Sequence, residues 1–178
     1  MTITNNNTIP NELLRWMDCI EYGWMDKSYK KYFTFDTWWE DYRLLLPPDV
    51  KKYKIGTCYE QALLAYDHLT SHGYKCKLIY IQQYKISTHL FVIYKVDGGW
   101  NYFEHSFEKY KGISGPYKNI IDIVNLVHSN MAQYSLKYQK LRDQGFSWRE
   151  LDRSKFNKRL TGPESYKIMK YDWSKQEK

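Results

Sequence analysis

The sequence predicts an α+β fold: a cysteine-bearing helix packed on a small antiparallel sheet, with additional flanking helices. Three observations carry that prediction. Thr57-x-x-Glu60 stands before an amphipathic run that stops at Gly73, the pattern of a helix capped at both ends. Lys75 to Gln83 then switches to the alternation of a strand. Finally, the runs Thr88–Lys95 and Trp100–Phe107 meet at Asp97-Gly98-Gly99, a hairpin signal.

The chain has 178 residues, enough for one domain with a real core. Residues 1–9 read as a flexible polar tail, 10–173 as a single domain and 174–178 as a second tail. With 43% apolar residues, 18 Tyr and 7 Trp, the chain can bury area efficiently, which argues against disorder. Its net charge of +7 comes from scattered lysines, the pattern of a solvated basic surface, so nucleic acid is not an expected partner.

The three cysteines, Cys19, Cys58 and Cys76, are an odd number without C-x-x-C spacing. They suit neither a disulfide framework nor a zinc site, and no metal or cofactor is expected. The N-terminus lacks a basic region followed by an apolar core, and no run is apolar enough to span a bilayer. The expectation is a cytoplasmic protein without a membrane partner. A composition rich in Lys, Asn and Tyr fits an AT-rich bacterial genome.

Taken in order, Pro10-Asn11 introduces a helical face of Leu13, Leu14, Met17 and Ile20, with Gly23 as its stop and Cys19 as a small packing residue within it. Met25–Phe33 reads as a loop or extended crossing. Thr34 or Asp36 caps a second helix carrying Trp38, Trp39, Tyr42 and Leu45, which Pro47-Pro48 ends. Asp49–Ile55 is a lysine-rich approach to the central helix, which runs to about Ser71 or His72. Ala62, Leu63, Ala65, Tyr66 and Leu69 supply its buried side, and Cys76 opens the next strand as a packing residue.

Beyond the hairpin, Glu108–Pro116 reads as a turn-rich loop and Asn119–Asp143 as one long helix or two. Ser147-x-x-Glu150 is a second capping box, predicting a short helix with Trp148 and Leu151. Gly162-Pro163 then breaks the chain before Tyr166–Tyr171, whose alternation suits an edge strand.

If Thr57 is the cap, Cys58 takes the first helical position, where unpaired N–H groups and the helix dipole concentrate positive potential. A free thiol has a pKa of about 8.5, and such a setting with a cationic neighbour lowers it toward neutrality. The same N–H groups can hold an oxyanion. Across the hairpin, an even loop puts His89 on one face with Glu104, opposite or one diagonal step away; an odd loop puts His105 there instead. In the even case a carboxylate can orient an imidazole, as nucleophilic catalysis requires. His68 and His72 lie four apart on the helix, but without the glutamate of H-E-x-x-H or a third ligand they read as an exposed face.

Gly56-Thr57-Cys58-Tyr59-Glu60-Gln61-Ala62, Thr88-His89-Leu90-Phe91-Val92 and Gly99-Trp100-Asn101-Tyr102-Phe103-Glu104-His105-Ser106 together resemble the transglutaminase-like branch of the papain-like cysteine-peptidase superfamily. The resemblance implies a papain/transglutaminase-like core with Cys58 as nucleophile, His89 as general base and acid, and Glu104 orienting His89 where that family more often has Asp. It further implies an oxyanion helper, with Gln61 or an upstream aromatic hydroxyl such as Tyr53 as candidates. The implied activity is cysteine-dependent acyl transfer on a peptide or protein substrate: a peptidase or amidase first, a transglutaminase or deamidase as alternatives. The competing class is a basic, non-catalytic interaction or nucleic-acid-binding protein.

Overall fold

Alternating side chains on a strand can serve two cores when helices cover both faces of a sheet, and the central strands here do so. The structure, a computed structural model, describes residues 8–36, 38–83, 87–134 and 145–170. It is a mixed α and β fold. Its main sheet has five antiparallel strands: β5 (Cys76–Gln83), β6 (Ser87–Val96), β7 (Gly99–Glu104), β8 (Gly112–Tyr117) and β9 (Phe146–Leu151), in the order β8-β7-β6-β5-β9.

One face presents Leu78, Tyr80, Leu90, Val92, Tyr94 and Phe103 to helix α4 (Cys58–Ser71), which contributes Ala62, Leu63 and Leu69 to a shared core. The other face presents Ile79, Ile81, Phe91, Ile93 and Tyr102 to α5 (Ile120–Tyr134), through Ile123, Val124, Val127 and Met131. Burial on both faces explains why β5 and β6 read as near-continuous apolar runs.

Five smaller elements lie ahead of α4: α1 (Thr8–Met17), β1 (Glu21–Tyr22), β2 (Trp24–Met25), β3 (Lys31–Tyr32) and α2 (Trp38–Asp41). A sixth, α3 (Pro47–Tyr53), leads into β4 (Ile55–Gly56), which enters α4. β4 runs parallel to β1, with Tyr22 beside Gly56. β2 and β3 form a small antiparallel ribbon, a structured version of the expected crossing. The last helix, α6, covers Gly162–Met169.

Several expectations are corrected. α1 begins at Thr8, inside the expected tail, and ends at Met17, so Cys19 lies beyond it and is exposed rather than packed. The second helix stops at Asp41 because Arg43 bridges Thr161 and Leu44 N–H donates to Leu160 O (2.9 Å). Pro47-Pro48 opens α3 in what read as an approach segment; at the first helical positions proline removes only an N–H that would be unpaired anyway. Gly112–Tyr117 is an edge strand after a single 3₁₀ turn (Glu108–Tyr110), rather than a loop. Edge strands tolerate its Gly and Pro because one side needs no ladder partner.

Ser147-x-x-Glu150 lies in β9, where the open edge of β5 supplies backbone partners from Leu78 to Gln83 and Lys77 pairs with Glu150. Gly162-Pro163 starts a helix instead of preceding a strand: Thr161 and Glu164 form a reciprocal capping box, with proline in the first turn. The expected extension of α5 through residues 135–143, the connection at 84–86, Tyr171 and the tail at 174–178 fall outside the described residues. Among the described residues no helix is long and apolar enough to cross a membrane.

Candidate active site

Helix α4 begins where the capping box predicts. Thr57 Oγ1 accepts from Tyr59 N–H (3.3 Å), and the Glu60 carboxylate takes Thr57 N–H (2.9 Å) and Thr57 Oγ1 (2.5 Å). Glu60 is 1% exposed and also accepts from the Tyr42 hydroxyl (2.5 Å) and Leu45 N–H (3.3 Å). Burial raises its carboxyl above the usual range, against the donors around it. The helix start is thus tied to the segment ahead of α3, and Cys58 takes the first helical position, buried and unbridged.

The hairpin supplies the other two groups. Its turn is Asp97-Gly98, an even loop, and β6 and β7 pair as Val92↔Phe103 and Ile93↔Tyr102. That register sets odd residues of β6 and even residues of β7 on one face, with His89 one diagonal step from Glu104. The His89 Nε2–Glu104 Oε2 distance is 2.6 Å. Glu104 is 2% exposed and fully supplied with donors: Tyr102 hydroxyl (2.7 Å), Ser106 hydroxyl (2.9 Å) and Phe107 N–H (3.0 Å) complete its shell. A carboxylate surrounded by donors holds a proton on His89 Nε2 and fixes the ring's orientation.

The electrostatics follow. Burial alone would push His89 down, but the Glu104 charge, with hydrogen bonds donated to Cys58 and Glu104, raises it to about 10. For Glu104 burial pushes up, while the charge and hydrogen bond of His89, with the Tyr102 and Ser106 hydroxyls, hold it at about 2. With Nε2 committed to the carboxylate, Nδ1 is the nitrogen left for the Cys58 thiol. The helix start and the strand start are linked by the Tyr59 hydroxyl on Thr88 Oγ1 (2.5 Å), next to His89.

Tyr22 is the residue that sequence reasoning missed. The parallel β1–β4 pair sets it beside Gly56, two residues before the cysteine. The residue is half-exposed (47%), while its hydroxyl end lies against the Cys58 side chain and backbone. Burial of that end, then Cys58 and Glu60, push the phenol well above its usual range, so it stays a neutral donor.

The two expected helpers are engaged elsewhere. Gln61 Nε2 donates to Gly56 O (2.8 Å), and Gln61 Oε1 meets His105 Nδ1 (2.6 Å). Tyr53 packs its ring on Tyr29 and beneath Lys52 Nζ. His105 points to the face opposite Glu104, where its Nε2 lies 3.5 Å from Asp18. His68 and His72 stack with ring centroids 4.4 Å apart, and among the described residues no group of three His, Cys, Asp or Glu side chains could hold a metal.

A cavity of about 330 Å³ opens beside Cys58 and His89, walled by Tyr22, Thr88, Phe107 and Met131. A thiol, a charged imidazole and the Tyr22 phenol therefore line one solvent-reachable cavity, with the Glu104 carboxylate buried behind His89. The sequence matches no protein-family model and no curated protein.

Proposed function

We propose that this chain is a cysteine-dependent acyl-transfer enzyme that hydrolyses an amide bond of a peptide or protein, as a peptidase or amidase, on a transglutaminase-like fold. The observation that carries the reading is His89, held between Cys58 and the fully hydrogen-bonded Glu104 carboxylate. Buried charges are costly unless they are used or paired, and this pair points at a thiol.

In the proposed reaction the thiol proton has already passed to His89 Nδ1, and the Cys58 thiolate attacks the substrate carbonyl carbon. The tetrahedral oxyanion accepts hydrogen bonds from Cys58 N–H and the Tyr22 hydroxyl. Collapse breaks the C–N bond, and the proton on His89 goes to the leaving amine. Water, deprotonated by His89, then attacks the thioester, releasing a carboxylic acid and restoring the thiolate beside the imidazolium. Glu104 holds the imidazole orientation through both halves. A cytoplasmic location is part of the proposal, since a reduced thiol is required.

The test is thiol reactivity. Cys58 should react with iodoacetamide near neutral pH faster than exposed Cys19, and far faster than Cys76, whose thiol burial pushes up to about 11. His89→Ala should remove that advantage. Equal rates at Cys58 and Cys19, unchanged by His89→Ala, would favour a basic binding protein instead.

A further inference from the structure

Most polar groups lining the cavity beside Cys58 already have partners. Ser87 Oγ donates to Gln83 (3.1 Å), Thr88 Oγ1 meets Tyr59 (2.5 Å) and Ser106 Oγ donates to Glu104 (2.9 Å). The opposite charges of His89 and Glu104 offset each other. Glu108, also on the cavity wall, is different: it is exposed, and its carboxylate takes no hydrogen bond or ion pair from another described residue.

The position of Glu108 is fixed by the site itself. Phe107 N–H donates to Glu104 Oε1 (3.0 Å) and Tyr110 N–H to Phe107 O (2.8 Å), so its turn is tied to the carboxylate that orients His89. The nearby cations are turned aside. Lys109 Nζ lies 5.3 Å above the Tyr110 ring, and Lys111 pairs with Asp18. A chain of net charge +7 thus keeps a negative group on the wall of its reactive cavity, beside Phe107 and Met131.

We propose that this cavity recognises a lysine or arginine side chain of a polypeptide substrate, its stem on Phe107 and Met131 and its charge at Glu108. Both residue types carry an apolar stem with a cationic end, and that shape matches the wall. The inference rests on the acyl-transfer reading of Cys58 and adds to it a substrate class and a specificity-determining residue. Because the carboxylate is exposed, its attraction is salt-sensitive and selects by a modest factor.

Three methanethiosulfonates test this on the full chain carrying Cys19→Ser and Cys76→Ser: the neutral methyl, cationic aminoethyl and anionic sulfonatoethyl reagents. In each case the Cys58 thiolate attacks the sulfenyl sulfur, a mixed disulfide forms and methanesulfinate leaves. Rates are divided by those of free cysteine. Glu108→Gln should lower the cation-to-anion rate ratio about five-fold, with the neutral rate unchanged and the effect shrinking in 1 M salt. Glu108→Lys should lower the ratio further. A ratio that stays the same in both variants overturns the cation site, however fast the neutral reagent reacts. A neutral rate no faster than free cysteine, and indifferent to His89→Ala, overturns the acyl-transfer reading instead.

Discussion

His89 and Glu104 meet at 2.6 Å although they are not directly paired across the β6–β7 hairpin. Their contact is diagonal, and the longer reach of glutamate closes the gap. Three further donors, from Tyr102, Ser106 and Phe107, leave the carboxylate no freedom to turn.

Replacing Glu104 by Gln should therefore be severe. The amide brings N–H groups toward atoms that already donate, and it leaves the imidazole without its charged partner. Breaking a buried pair in this way costs about 3–5 kcal/mol, which urea unfolding would register. Alkylation of Cys58 should slow about ten-fold or more in the fraction that remains folded. A variant with the parent's alkylation rate would remove Glu104 from the site.

The pair also sets a pH profile for stability. Glu104 is depressed from 4.5 to about 2, so its contribution is present above pH 4.5 and is lost as pH falls through the folded value. His89 is raised from 6.5 to about 10, so its contribution is present below pH 6.5 and is lost as pH rises through about 10. The pair therefore stabilises most between pH 4.5 and 6.5. Urea midpoints measured from pH 3 to 10 should show a parent-minus-variant difference that peaks in that window for a His89→Ala, Glu104→Gln double variant. A flat difference would mean that the pair is not ionised as described.

What could be read in the sequence was local. Thr57-x-x-Glu60 closes on itself within one turn, so it places Cys58 before any tertiary contact is known. The hairpin signal narrowed the partner of His89 to Glu104 or His105, and only the two-residue turn seen in the structure selects Glu104. The same short pattern failed at Ser147-x-x-Glu150, because the free edge of β5 offered more backbone partners than one helical turn could. At Thr161-x-x-Glu164 the pattern is masked by Gly162-Pro163, a pair that starts a helix as readily as it ends one. Tyr22 could not be read at all. Its place beside Cys58 depends on β1 lying parallel to β4, a pairing of two-residue strands with no periodic signal.

Tyr22→Phe separates two kinds of reactivity. Phenylalanine keeps the ring and removes the hydroxyl that lies against Cys58 and its backbone. Alkylation by iodoacetamide builds no oxyanion, so its rate should change by less than about three-fold. Acyl transfer does build one, and losing a donor costs about 10²–10³ in rate. Release of nitrophenol from p-nitrophenyl acetate, normalised to Cys58→Ala, is the measurement. Equal effects on both rates would show that the hydroxyl acts on the thiol rather than on the oxyanion.

Gly56 is a steric requirement of the site, and a paired control can show it. A Cβ added there would lie 2.8 Å from Glu60 Cβ, on the helix that carries the nucleophile. Neither atom is the free end of a side chain, so the backbone must give, at about 1–3 kcal/mol. Gly56 is also the strand partner of Tyr22 and the acceptor for Gln61, so the displacement falls on the Tyr22 side of the cavity. Gly73, at the far end of the same helix, has φ +86 and nothing within 4 Å of an added Cβ. Alanine there costs about 1–2 kcal/mol of backbone strain with no clash. The two variants should thus lose similar stability in urea, while Gly56→Ala alone loses nitrophenyl ester turnover. If Gly73→Ala lost turnover to the same degree, the loss would reflect helix stability, and Gly56 would have no special part in placing Tyr22 against Cys58.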